Sequence, residues 1–129
     1  MKKFLYLISP NKINKKFYSN LDIVLSYGNV KFFQLRLKKV KNNNLLKIAK
    51  KVKKITFNHK VKLIINDNFI IASKAKADGC HIGQLDGSIN DAKKKLKNKI
   101  LGVTCHNSKI LAEKAIKDKV DYLAFAKFF

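Results

Sequence analysis

Residues 61–67 read Val-Lys-Leu-Ile-Ile-Asn-Asp, a short branched apolar run closed by two polar side chains. Its apolar residues do not alternate with polar ones, as they would on a strand with one wet face. A run of this kind suits a strand covered on both sides, the condition of a parallel sheet packed under helices. Runs of similar length and texture occupy 5–9, 31–37, 61–66, 79–83, 100–104 and 121–126. Their starts lie about 17 to 30 residues apart, the spacing that βα units require.

The segments between these runs change period. Phe17, Leu21, Val24 and Leu25 mark one helical face, with Gly28 placed to end it. Leu45, Ile48, Ala49, Val52 and Ile55 mark a second within a lysine-rich segment. Ser88, followed three residues later by Asp91, has the form of a capping box for a helix carrying Ala92 and Leu96. Asn107 or Ser108 can cap a last helix through Leu111, Ala115 and Ile116. The pattern predicts six strands and five helices in strict alternation, an α/β fold.

Two architectures offer that alternation: an open doubly wound sheet and a (β/α)₈ barrel. The first strand-to-helix loop lacks the Gly-x-Gly-x-x-Gly of a dinucleotide-binding sheet. A whole barrel takes roughly 250 residues and at least about 200, whereas this chain has 129. It also ends inside an apolar run, Tyr-Leu-Ala-Phe-Ala-Lys-Phe-Phe, with no turn or cap after it. The expectation is a partial TIM barrel, one incomplete domain over residues 1–129, cut short after strand 6.

Composition narrows the partners. Lys and Arg together number 29 against 8 acidic residues, a formal net charge of +21. Such a charge suggests nucleic acid. The lysines are nevertheless spread along the whole chain, without an arginine-rich arm, zinc-ligand spacing or RNP-like aromatic motif. Weak, salt-sensitive adhesion is expected, and no specific nucleic-acid partner. The N-terminal apolar stretch of five residues, Phe4–Ile8, is shorter than a signal-peptide core of ~7–15 and has no cleavage site. No segment approaches membrane-spanning length. Cys80 and Cys105, without a Cys-x-x-Cys, read as reduced and buried thiols of a cytoplasmic protein.

Ligands of βα folds bind at the C-terminal ends of the strands, and the polar residues of this chain collect there. Gln34, Arg36 and Lys38 close the second strand, and their spacing of two puts them on one face. Arg36 is the only arginine, beside 28 lysines. A planar guanidinium grips phosphate bidentately, which an ammonium cannot do. The bland alternative is a solvated strand end. Asn66 and Asp67 close the third strand, His81, Gln84 and Asp86 follow the fourth, and Thr104 and His106 close the fifth. On their own, Asp67 and Asp86 read as helix N-caps before they read as metal ligands. Two carboxylates opposite a phosphate site are also what Mg²⁺ uses. His106 and Cys105 are strand neighbours facing opposite ways, so they form no dyad. His59 reads as solvated in a polar turn.

Four segments in order then carry a resemblance: Gln-Leu-Arg-Leu-Lys (34–38), Leu-Ile-Ile-Asn-Asp (63–67), Ala-Asp-Gly-Cys-His-Ile-Gly-Gln-Leu-Asp (77–86) and Leu-Gly-Val-Thr-Cys-His-Asn-Ser (101–108). With the opening Leu-Tyr-Leu-Ile-Ser-Pro and the closing residues 121–129, the chain resembles the thiamine-phosphate synthases, transferases with a (β/α)₈ barrel. The resemblance implies joining of 4-amino-2-methyl-5-(diphosphooxymethyl)pyrimidine to a thiazole phosphate, with pyrophosphate leaving first. It implies that Arg36, Lys38 and Asn66 bind the diphosphate and that Gln34 seats the pyrimidine. Asp67 and Asp86 would hold Mg²⁺, and Thr104 would contact the diphosphate substrate where the family commonly has serine. His81 and Gln84 would support these residues from behind. Leu37 stands where glutamate is frequent and should face away from the mouth. The family's Thr-rich loop after strand 6 and its phosphate loops after strands 7 and 8 have no counterpart in the sequence, so an incomplete enzyme is expected, with self-association possible. Two alternatives stand beside this reading: a thiazole tautomerase of the same family, using a histidine such as His106, and a lysine-rich nucleic-acid-binding protein.

Overall fold

The computed structural model describes residues 3–126. Met1, Lys2 and residues 127–129, the end of the sixth-strand match, lie outside them. The elements run β1 (Leu5–Ile8), α1 (Lys16–Ser26), β2 (Val30–Leu35), α2 (Asn42–Asn58), β3 (Lys62–Asn66), α3 (Phe69–Lys74), β4 (Gly79–Ile82), α4 (Ile89–Leu96), β5 (Ile100–His106), α5 (Lys109–Lys117) and β6 (Tyr122–Phe125). All six strands are parallel and stand in the order β1-β2-β3-β4-β5-β6.

That order settles the choice of architecture. A doubly wound sheet reverses its direction of winding, which brings helices to both faces. Here every crossover steps the same way, and crossovers are right-handed, so all five helices fall on one face. The other face is left as the lumen of a half-barrel, the expected partial TIM barrel.

Strand alternation sorts the side chains between these faces. Phe33 and Leu35, Leu63 and Ile65, Cys80 and Ile82, and Leu101, Val103 and Cys105 pack outward into one cluster with the helices. The helices approach closely because they offer small residues there: Ala49, Ala72, Ala92, Ala112 and Ala115. Ile64 is fully buried yet stands apart from that cluster, as an inward-facing residue must. Both thiols are free and buried, as expected.

The N-terminal end of the sheet is stapled by two aspartates. Asp78 accepts from the Leu63 amide and Asp121 from the Leu101 amide, each at 2.7 Å. Lys53 Nζ joins Asp78 at 2.9 Å. The helix-to-strand loops turn at Lys60, Lys76 and Lys119, with φ of 58°, 56° and 58°. Lysine is unusual in the left-handed region, but its charge complements the helix C-terminal dipole. His59 is not simply solvated as expected: its Nε2 lies 2.6 Å from Asp22 Oδ1, tying α2 to α1.

Candidate active site

The C-terminal ends of the strands surround a cleft of about 460 Å³. Gln34, Arg36, Lys38, Asn66, Asp67 and Thr104 all line it, so six of the seven sequence-selected residues share one wall. The reason for the grouping differs in part from the one expected. Strand β2 ends at Leu35, so Arg36 and Lys38 belong to the following loop, not to a strand face. The loop after β1 holds them instead. Arg36 N donates to Ser9 Oγ (2.8 Å), Arg36 Nη1 to Asn11 Oδ1 (3.0 Å), and Lys38 N to the Asn11 carbonyl (3.0 Å).

Asn66 and Asp67 are consecutive and should face opposite ways. Asp67 adopts φ 67°, a left-handed conformation that aspartate tolerates better than most residues. That twist breaks the strand alternation, and both side chains reach the cleft. Neither carboxylate of the site is a helix cap. Asn68 caps α3 by accepting from the Ile71 amide, and Ser88 caps α4 by accepting from Asp91 N, each at 3.0 Å. In the capping box only the Ser88 bond is present among the described hydrogen bonds. Ser108, not Asn107, caps α5. With the capping posts filled by neighbours, the bland reading of Asp67 and Asp86 falls away.

Asp86 does not line the cleft, but its carboxylate lies near enough to Asp67 to raise that residue's pKa. Asp86 Oδ2 accepts from the Gly83 amide at 2.7 Å. A Cβ on Gly83 would stand 2.8 Å from that oxygen, so glycine is what admits it. Burial, the contact with Asp86 and its negative charge together raise the Asp67 pKa, while Lys38 and Arg36 pull it down. Two carboxylates that repel each other within reach of two cations suit a divalent ion completed by phosphate oxygens. Among the described residues no group of three or more His, Cys, Asp or Glu could cage a metal. A zinc-type cage is therefore not what these residues build, whereas Mg²⁺, which keeps waters and substrate phosphates as ligands, fits the donor set.

The floor of the cleft contains a network that the sequence reading missed. Gln34 Nε2 donates to Tyr6 OH (2.9 Å), and Tyr6 OH lies 2.6 Å from Tyr122 OH. Tyr122 OH lies 2.9 Å from His81 Nδ1, and His81 Nε2 lies 2.7 Å from Thr104 Oγ1. One hydrogen-bonded chain thus crosses β2, β1, β6, β4 and β5. His81 lines the cleft itself and stacks on the Tyr122 ring at 5.5 Å. Burial lowers its pKa, so the imidazole is neutral, donating from one nitrogen and accepting at the other. Burial raises the Tyr6 and Tyr122 pKa values, keeping both hydroxyls protonated. Gly102 makes room for the Tyr122 ring, which would lie 1.9 Å from a Cβ at that position. The missed tyrosines carried one usable sign: each interrupts an apolar strand with a hydroxyl, at inward parity.

Strand β5 extends to His106, so Thr104 lies inside it and not at its end. Gln84 Nε2 donates to the Thr104 carbonyl at 2.6 Å, tying the β4–α4 loop to β5. His106 is exposed, has φ 52° and does not line the cleft, which leaves the tautomerase alternative without its proposed acid or base. Cys80 and Cys105 serve packing, and burial raises the pKa of both thiols. No helix among the described residues is long and apolar enough to cross a membrane.

Comparison with known proteins places this geometry. The family model described as thiamine monophosphate synthase matches residues 5–129. The chain is 60% identical over 129 residues to the thiamine-phosphate synthase of Pelagibacter ubique, covering 99% of this chain and 62% of that one. It is 38% identical over 128 residues to the thiamine-phosphate synthase of Erythrobacter litoralis, covering 97% and 60%. Among solved structures, thiamine phosphate pyrophosphorylase from Pyrococcus furiosus superposes with a TM-score of 0.86 at 26% identity, over 98% of this chain and 61% of that one. The chain thus spans about three fifths of the length of these relatives.

Proposed function

The chain belongs to the thiamine monophosphate synthase family, and from that membership we propose that its cleft is the pyrimidine-diphosphate half of a thiamine-phosphate synthase site. The whole reaction would join the pyrimidine diphosphate to thiazole phosphate and release pyrophosphate. The observation that carries this reading is the shared wall of Gln34, Arg36, Lys38, Asn66, Asp67 and Thr104, with the Asp67–Asp86 pair beside two cations.

In this reading Arg36, Lys38 and Asn66 donate to the diphosphate oxygens and favour the charge that builds on the departing pyrophosphate. Asp67 and Asp86 would hold Mg²⁺, which when bound supplies Lewis-acid stabilisation of the leaving group. Gln34 takes its orientation from Tyr6, and Thr104 takes its orientation from His81. These fixed polar groups seat the pyrimidine so that its methylene carbon faces the incoming thiazole nitrogen. The same reading makes the protein a cytoplasmic enzyme of small-molecule substrates, with Cys80 and Cys105 reduced.

The test is Mg²⁺-dependent pyrophosphate release by the full-length protein supplied with both substrates. Asp67→Ala and Asp86→Ala should each abolish it. Turnover near that of the wild type in both variants would remove the metal assignment.

A further inference from the structure

We propose that Asn11 is a positioning residue: its side-chain amide oxygen aims the Arg36 guanidinium into the cleft while leaving the positive charge free for an anionic ligand. The inference rests on the diphosphate reading above and adds a residue to it that neither the sequence pattern nor the family resemblance assigned.

Asn11 sits in a stiff loop. It follows Ser9 and Pro10, the only proline of the chain, whose ring fixes φ. Ser9 is 7% exposed, its amide donates to the Gln34 carbonyl at 2.9 Å, and its hydroxyl accepts from Arg36 N at 2.8 Å. From this anchored position Asn11 Oδ1 accepts from Arg36 Nη1 and the Asn11 carbonyl accepts from Lys38 N, each at 3.0 Å. One short loop therefore sets both the backbone path and the guanidinium direction.

The residue type matters as much as the contact. Among the described residues no carboxylate lies within 4.0 Å of the Arg36 guanidinium; the ion pairs are Lys53–Asp78, His59–Asp22 and Lys109–Glu113. A guanidinium has five N–H donors, so a single bond to a neutral oxygen orients its plane and leaves most of the fork open. An aspartate at position 11 would give the same reach but would occupy the charge that a phosphate needs. Asparagine orients Arg36 without neutralising it.

The probe is inorganic pyrophosphate, titrated calorimetrically into the full chain in Mg²⁺ buffer, with the melting temperature recorded for each variant. Asn11→Ala should weaken binding about fivefold and the nearly isosteric Asn11→Asp by more than about tenfold, the order expected when charge and not packing is lost. In an Arg36→Ala background Asn11→Ala should change the affinity by less than about 1.5-fold, because the pair acts as a unit. A purely structural role would make Ala the worse of the two substitutions and would act equally in both backgrounds. Asn11→Ala binding as the wild type does, or weakening binding equally with and without Arg36, overturns the inference. Should Asn11→Asp fail to fold, the alanine cycle decides alone. If Arg36→Ala itself binds pyrophosphate like the wild type, the diphosphate reading fails instead, a distinguishable result.

Discussion

Arg36 shows how much of a site one side chain can disclose. A lone guanidinium among lysines is visible in composition, and its partners Gln34 and Lys38 are visible in spacing. Arg36, however, lies beyond the end of its strand and is held by a loop 25 residues upstream, through the Asn11 contact. Arg36→Lys retains the charge but replaces a planar fork with a point charge, so pyrophosphate binding should weaken about tenfold, measurable by the same calorimetry. His81 was read as a supporting residue and proves to line the cleft between Tyr122 and Thr104. Its pKa is lowered by burial, so on acidification the unfolded chain takes up the proton before the folded one does. Stability should therefore fall as pH drops below the ordinary histidine value of about 6.5, by at most about 1.4 kcal/mol per pH unit for one proton. Urea midpoints between pH 5 and 8 check this: His81→Gln should flatten that part of the profile relative to the wild type.

The strands were legible as elements before their ends were. Apolar runs locate β1 to β6 because a strand buried on both faces must be apolar along its length. The boundaries slip where the backbone leaves the ladder for reasons outside the run. Strand β2 stops at Leu35 because the next amide goes to Ser9 Oγ, and Asp67 leaves β3 in a left-handed turn. At β5 and β6 the decisive residue is a glycine. Gly102 lies opposite Tyr122 in the ladder, and the tyrosine ring fills the place of its missing side chain. Gly102→Ala should displace the ring, break the Tyr122–His81 contact and destabilise the protein by about 1–3 kcal/mol, as overpacking does. Chemical denaturation measures the loss, and a change in the tyrosine near-ultraviolet circular dichroism should accompany it.

On the scale of the whole molecule, charge and sheet edges dominate. A net charge of +21 on 129 residues makes the compact state repel itself. Raising NaCl from about 0.02 to 0.3 M shortens the screening length severalfold, so the melting temperature should rise with salt; a fall would show that attractive ion pairs outweigh the repulsion. Among the described residues β1 and β6 are the terminal strands of the parallel sheet, and an unpaired strand edge is an invitation to edge pairing. The sequence by itself determined the βα alternation, the outward core and the polar residues at the strand ends. These are consequences of local period and of which side chains water excludes. Only the tertiary structure decided that the winding never reverses and that Asn68, not Asp67, caps α3. It alone joined Tyr6 to Tyr122 across 116 residues. Such contacts depend on where distant strands come to lie in space, and no local pattern of residues records that distance.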